Sequence, residues 1–560
     1  MSDHSAQPEP TRPLPAAQPD CDGNFRATAH LSSVDCKTRA LLKIPSSKLI
    51  PVIVIPGIMG SNLCATTDKT KPANKALKPG EAAWRPPNGS AAGLKEAGTW
   101  KRRLPNLRQQ ILDPDTLDVD DTGLLAGSPD VQVAFDPAVL KERGWGQIHC
   151  SSYGALLSEL ELHLNSVFRP IGRNSIPQPR WLYLEKWDRS LWDVRNDTGA
   201  TAKLTDAELK KFAQFHYPVY ALGYNWLQSN ELSAGRLEKR IEEIIKFWTD
   251  RKQQCTQVIL VTHSMGGLVA RACAKRIPDK ILGVVHGVMP ALGAPVCYRR
   301  IACGTETSNP NNLAYGVGNL AMAKFADIAG RTTADTSAIM ATAAGPLELL
   351  PNNQYPKPWL YATFENGEGK RLAHLNLPSG NVYDMYRDTT SWYRMIDPAL
   401  ADPAEKFADK AEVAKKIKKA IDQAERFHTT VLGDYYHPNS YAFYGGDAGH
   451  LSFGTCRWHA AKMTSPPAPA VLASGTVVSR DDEDAGRTVK FSDGATIHFT
   501  HSVQDGPGDG TVPQQSGMGP AKGVKQIFCT KGYDHQGSYS NEAMLALTLQ
   551  LIARIALDAK

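Results

Sequence analysis

The chain has 560 residues, long enough for a large core and for one enlarged domain or several. Its net charge of +6 comes without a dense Lys/Arg stripe interleaved with aromatics, so nucleic acid is not expected as a partner. Ten cysteines are scattered with no C-x-x-C pair, which suits a reducing compartment and signals no disulfide framework, no metal and no cofactor, and no run approaches the roughly 18 apolar residues of a membrane span.

Residues 1–45 hold five prolines before Asp20 and no apolar signal-peptide core, so they read as a disordered leader without a Sec signal. Residues 49–55, Leu-Ile-Pro-Val-Ile-Val-Ile, form a continuous β-branched run, as in a strand buried on both faces of a parallel sheet. The run ends in Pro56-Gly57-Ile58-Met59-Gly60-Ser61. A glycine-bracketed turn at the carboxyl end of a central strand can present backbone N–H groups to a substrate, which makes the amide of Ile58 or Met59 a candidate half of an oxyanion hole. Residues 64–150 are rich in Lys, Pro, Gly and Asp and show little periodicity; they read as a lid-like excursion, with Trp84, Trp100 and Leu104 as candidate lid residues. A helix is predicted over 153–164, an aromatic-rich segment over 181–192, and a short strand with an aromatic turn over 218–226. A helix over 233–250 follows, with Leu237, Ile241, Ile244, Ile245 and Trp248 on one side.

The next stretch organises the chain. Val258-Ile259-Leu260-Val261 is a buried-strand run that leads into Ser264, then Gly266-Gly267, then a helix over 268–275. Strand, sharp turn and helix are the context of a nucleophile elbow, which needs small residues two before and two after the serine because strand and helix nearly touch there. Gly266 meets the second requirement; Thr262 stands where glycine is usual. The N–H of Met265 is the candidate second half of the oxyanion hole, and His263, pointing the wrong way on such a turn, is read as structural. The strand-helix-strand order predicts an α/β fold with a mostly parallel sheet flanked by helices on both faces.

Residues 282–288 give another strand, closing at Pro290-Ala291-Leu292-Gly293-Ala294-Pro295. Residues 300–432 interrupt the alternation and read as a cap insertion, dividing a core of residues 46–299 from residues 433–560. The cap contains Gly345-Pro346-Leu347-Glu348-Leu349-Leu350-Pro351, the aromatics Trp359, Trp392 and Tyr393, and a basic helical segment over 404–429. In that segment Phe407, Ala414, Ile417, Ile421, Ala424 and Phe427 make one apolar stripe, expected to pack on the protein rather than lie on an anionic membrane. Strand character returns over 440–444, followed by Gly445-Gly446-Asp447, and residues 475–503 read as a β-meander insertion. Its Asp481-Asp482-Glu483-Asp484 is read as a solvated turn rather than a metal site. The last strand is predicted over 524–529, and the closing helix over 541–556 buries Met544, Leu545, Leu547, Leu551, Ile552 and Ile555.

A serine hydroxyl needs an imidazole to take its proton, and the imidazole needs a carboxylate to fix its tautomer. His535, in the loop between the last strand and the last helix, is the best placed of fifteen histidines, with His501 and His450 behind it. Asp447 directly follows a strand, the usual place for the acid; Asp509 lies nearer His535 in a glycine-flanked turn, and Asp505 is a third choice. Spacing alone does not decide between them.

The blocks 56–61, Tyr224-Asn225-Trp226, Thr262-His263-Ser264-Met265-Gly266-Gly267, Gly293-Ala294-Pro295 and Asp509-Gly510-Thr511-Val512-Pro513 resemble, in this order, the lecithin:cholesterol acyltransferase-like and PGAP1-like lipases of the α/β-hydrolase superfamily. That resemblance implies Ser264, Asp509 and His535 as a catalytic triad. The elbow extended through Leu268-Val269-Ala270-Arg271, and the block starting at Gly345, also resemble bacterial type VI secretion lipase effectors; the match covers about half the chain in separated blocks. It implies a phospholipase acting on lipid esters through an acyl-enzyme, with peripheral membrane contact. It further implies delivery into a rival's periplasm, a secretion spike protein and a cognate immunity protein as partners, and no metal. A housekeeping esterase or neutral-lipid lipase, or a non-catalytic binding protein on the same fold, are the alternatives.

Overall fold

Four consecutive β-branched residues make strand β1, Val52–Ile55, and their alternating side chains define two cores, one on each face of a sheet. Val52 and Val54 pack with helices α1 (Cys150–Leu164) and α4 (Glu542–Ala556). Ile53 and Ile55 pack on the other face with α2 (Asn230–Asp250) and α3 (Gly266–Arg276). The computed structural model describes residues 45–125, 135–171, 174–196, 199–310, 316–377, 380–482 and 485–560, with a few short stretches before residue 45. Most of the expected leader, and Glu483 and Asp484 of the acidic turn, lie outside these residues.

The remaining strands are β2 (Asp193–Val194), β3 (Val219–Ala221), β4 (Val258–His263), β5 (Ile281–Gly287), β6 (Ser440–Gly445) and β7 (Gln526–Thr530). They form a seven-stranded sheet in the order β2-β7-β6-β5-β4-β1-β3, parallel throughout except for the short β2 at one edge. The fold is α/β, a large mostly parallel sheet covered by helices on both faces. Pairing of Thr262 with Ile55 and with His286 brings the carboxyl ends of β1, β4 and β5 into one row. Loops that leave this end therefore meet one another, as open α/β sheets generally arrange their sites.

The insertions are more structured than their composition suggests. Residues 64–150 contribute to a three-stranded sheet of Ala82–Trp84, Leu63–Ala65 and Leu117–Val119, with helices Ser90–Lys101 and Pro105–Ile111. Strands Arg371–Asn376 and Leu360–Glu365 from the 300–432 block join Cys456–Ala460, Thr496–His501, Gly486–Lys490 and Thr476–Asp481 in a single six-stranded sheet. The β-meander over 475–503 is thus one half of that sheet rather than a separate appendage. Buried arginines tie the pieces together. Arg108 donates to the carbonyls of Trp100 (2.7 Å), Asp327 (2.8 Å) and Ile328 (2.9 Å), joining the first excursion to the later block. Arg487 donates to the carbonyls of Trp392 (2.7 Å) and Ala302 (2.9 Å). The basic helix runs Lys410–Arg426 and buries Val413, Ile417, Ala420, Ile421 and Ala424 against the protein. Ala414, assigned to the stripe from the sequence, is exposed, because the buried face runs through 413 and 420 at helical spacing. Leu104 is exposed as well, and the aromatics beside it, Trp84 and Trp100, are buried.

Candidate active site

At the end of β4 the chain turns so sharply that Ser264 adopts φ 52°, in the left-handed region that is costly for a residue with a Cβ. The surrounding glycines explain how the turn is accommodated. A Cβ on Gly266 would lie 2.5 Å from the carbonyl oxygen of Pro56 and 2.6 Å from that of Ile55. A Cβ on Gly57 would lie 2.9 Å from Cβ of Ser264 and 2.8 Å from Nδ1 of His263. The end of β1 and the start of α3 therefore touch the elbow directly, and any side chain at these positions would push them apart. Thr262 is accommodated where glycine is usual: its hydroxyl lies 3.3 Å from Nδ1 of His286 on β5, and its carbonyl accepts a hydrogen bond from Tyr539 (2.9 Å). The Ser264 N–H donates to the Gly287 carbonyl (2.9 Å), which fixes the turn against β5.

Ser264 Oγ is 2.9 Å from Nε2 of His535, and Nδ1 of the same ring is 2.8 Å from Oδ2 of Asp509. The other carboxylate oxygen, Oδ1, accepts the N–H groups of Thr511 (3.0 Å) and Val512 (2.7 Å), and the His535 N–H donates to the Asp509 carbonyl (2.6 Å). Asp509 is buried and thus aimed by its own turn. With Nδ1 donating to the carboxylate, Nε2 is left to accept the serine hydroxyl proton, and a cation formed on the ring would face the carboxylate.

The turn at Gly57 closes through a hydrogen bond from the Gly60 N–H to the Gly57 carbonyl (3.1 Å), with Met59 at φ 62°. The Gly57 N–H is taken by the Tyr153 hydroxyl (2.9 Å), and the Met59 carbonyl accepts the Trp84 indole N–H (2.8 Å). Among the described residues, the N–H groups of Ile58, Met59 and Met265 donate to no protein acceptor. Met265 directly follows the serine at the N-terminus of α3.

The other candidates lie elsewhere. Asp447 accepts the N–H groups of Gly449 (2.7 Å) and Gly532 (3.0 Å) and lies 3.0 Å from Nδ1 of His450. His501 is half-buried in the six-stranded sheet, its ring against Phe453 and Trp458, and Asp505 accepts the N–H groups of Gly454 and Thr455. Asp509 reaches the serine by an indirect route. The chain leaves β6 at Gly445, builds four strands of the six-stranded sheet, and returns as Gly506–Gly508, pairing Gly508 with Asp447. The next residue, Asp509, then packs against Gly445, where an added Cβ would lie only 2.7 Å from its own. Asp509 thus occupies the space at the end of β6 although it is distant from β6 in sequence. Tyr153 was not singled out for the site from the sequence; a partner 110 residues away leaves no local spacing to detect.

Residues 213–310, from the approach to β3 through the elbow and β5, match the family model of the PGAP1-like alpha/beta domain. This part of the chain is similar to PGAP1-like alpha/beta domains. The whole hydrolase is similar to a chain of the solved Tle4–Tli4 complex, with 28% sequence identity and a TM-score of 0.71 over 91% of this chain and 99% of that one. No curated protein matches the sequence. Ser264 is 4% exposed, so the nucleophile candidate is buried. Among the described residues no helix is long and apolar enough to cross a membrane, and no group of three or more His, Cys, Asp or Glu is gathered to hold a metal ion.

Proposed function

We infer that this chain is a lipolytic serine hydrolase, a type VI secretion lipase effector that cleaves the acyl esters of membrane phospholipids. One observation carries the chemistry: the continuous chain from Ser264 through His535 to Asp509 at a strained elbow, at 2.9 and 2.8 Å. Ser264 Oγ attacks the ester carbonyl carbon while His535 Nε2 takes its proton, and Asp509 stabilises the resulting cation. The carbonyl oxygen becomes an oxyanion facing the N–H groups of Met265 and of Ile58 or Met59. Collapse restores the carbonyl and breaks the bond to the leaving alcohol, which takes the proton from His535. Water then repeats the sequence on the acyl-serine and releases the fatty acid. Because Ser264 is only 4% exposed, a lipid reaches it only after the residues that cover it move aside.

The effector assignment draws support from the elbow 262–271 and the block 345–351, which resemble type VI secretion lipase effectors, and from the fold shared with a chain of the Tle4–Tli4 complex. By the same likeness we expect an immunity protein that binds this chain, and delivery into the periplasm of a target cell. The testing experiment is phospholipid hydrolysis by wild type and Ser264→Ala, with fatty acid and lysolipid resolved. Fatty-acid release by wild type and a loss on the order of 10⁴- to 10⁶-fold in the variant is expected. Equal release by both proteins would refute the nucleophile. Cleavage of short water-soluble esters with no phospholipid turnover would favour a carboxylesterase instead.

A further inference from the structure

The mechanism above leaves two buried side chains beside the triad without a task. Tyr153 and His263 are both almost fully buried, with ring centroids 5.5 Å apart. The Gly57 N–H donates to the Tyr153 hydroxyl oxygen (2.9 Å), the hydroxyl lies 3.0 Å from Nδ1 of His263, and Nε2 of His263 lies 2.9 Å from the carbonyl oxygen of His535. One proton arrangement satisfies all three contacts. A carbonyl only accepts, so Nε2 carries the proton; Nδ1 of the neutral ring then accepts, and the tyrosine hydroxyl donates to it. The polarity runs from the oxyanion turn to the base loop without a break.

We propose that Tyr153 and His263 are positioning residues, a hydrogen-bonded relay that holds the turn bearing the Ile58 and Met59 amides in register with the loop bearing His535. This inference rests on the triad assignment of the preceding subsection. Three further observations support it. Both sides of the His535 backbone are fixed, its N–H by the Asp509 carbonyl (2.6 Å) and its C=O by His263 (2.9 Å). The turn is shaped around the relay, since a Cβ on Gly60 would lie 2.7 Å from the Tyr153 hydroxyl and one on Gly57 2.8 Å from Nδ1 of His263. Finally, burial, reinforced by repulsion from a cationic His535, pushes the His263 pKa down to about 3. The ring therefore stays neutral, and the relay keeps its polarity, while His535 takes and returns a proton.

The test uses the full chain, a short water-soluble ester, and Tyr153→Phe, His263→Phe and the double variant, each of which keeps a ring in place. Active serines are counted with a serine-directed phosphonate, so that misfolded protein does not count against kcat. Misplacement of one half of the site against the other is expected to lower kcat by about 10- to 100-fold in each single variant, with KM within about twofold. The double variant is expected to be no slower than the worse single one, because a broken relay cannot be broken twice. Single variants with kcat within about twofold of wild type, or losses that multiply in the double variant, would overturn the relay. If His263→Phe does not fold, Tyr153→Phe decides alone by the same kcat and KM criterion. A wild type that labels with phosphonate where Ser264→Ala does not, beside an unaffected Tyr153→Phe, removes only the relay. A wild type that neither labels nor cleaves removes the triad assignment and the relay with it.

Discussion

Asp509 and Asp447 stand at the same end of the sheet, each holding Nδ1 of a histidine, at 2.8 and 3.0 Å. They differ in what lies beyond the ring. His535 carries its other nitrogen to Ser264, whereas Asp447 also accepts the N–H groups of Gly449 and of Gly532, the latter at the foot of the loop that leads to His535. One pair meets Ser264 and the other braces the loop. Proximity of a carboxylate to a strand end, or to a histidine, therefore does not identify a catalytic acid; the third partner does.

The sharpest way to break this comparison is to neutralise each carboxylate in turn. Asp509→Asn leaves the shape intact but favours the wrong tautomer of His535, and kcat is expected to fall by about 10⁴-fold. Asp447→Asn is expected to cost less than about tenfold, since it loosens a loop without touching the ring that serves Ser264. Steady-state ester hydrolysis on both proteins decides the matter, and the reverse order of losses would transfer the acid role to Asp447. A smaller effect comes from Gly445→Ala. The new Cβ would meet Cβ of Asp509 at 2.7 Å and the Gly508 carbonyl oxygen at 2.9 Å, so backbone must move. Displacing Asp509 while leaving its charge is expected to lower kcat by about 10- to 100-fold. If Gly445→Ala retained wild-type kcat, close packing of Asp509 on β6 would have no bearing on the reaction.

The same pair shows what the sequence discloses and what it conceals. The elbow was legible because its physics is local: a strand run, a serine, and Gly266 at a fixed offset where backbone meets backbone. The turn at Gly57 was legible for the same reason. The contest between Asp447 and Asp509 was not resolvable from spacing, because a long excursion returns through the pairing of Gly508 with Asp447. Only the family resemblance pointed to Asp509 in advance. The tie between Tyr153 and His263 spans 110 residues and leaves no pattern at all. The internal structure of the two insertions was not legible for a different reason. Arginine is mostly a surface residue, so nothing in the sequence singles out Arg108 and Arg487, yet both are buried and serve as hydrogen-bond hubs for carbonyls of distant segments.

The smallest expected effect separates the two aspartates by pH and by stability rather than by turnover. Burial alone would raise the Asp447 pKa, but hydrogen bonds from Gly449 and Gly532 and the approach of His450 outweigh it and leave the carboxyl below its ordinary value. A carboxyl whose folded pKa is depressed contributes stability that is fully present above its unfolded pKa of about 3.9 and is lost as pH falls through the lower folded value. Asp447→Asn cannot contribute in this way at any pH. Its urea midpoint is therefore expected to lie below that of wild type at pH 7, and the gap is expected to close as both are taken to about pH 3 and below. A gap that is unchanged by acid would mean that the asparagine disturbs packing rather than charge. No gap at neutral pH would mean that the brace on Gly532 adds nothing, and the comparison would then rest on Asp509 alone.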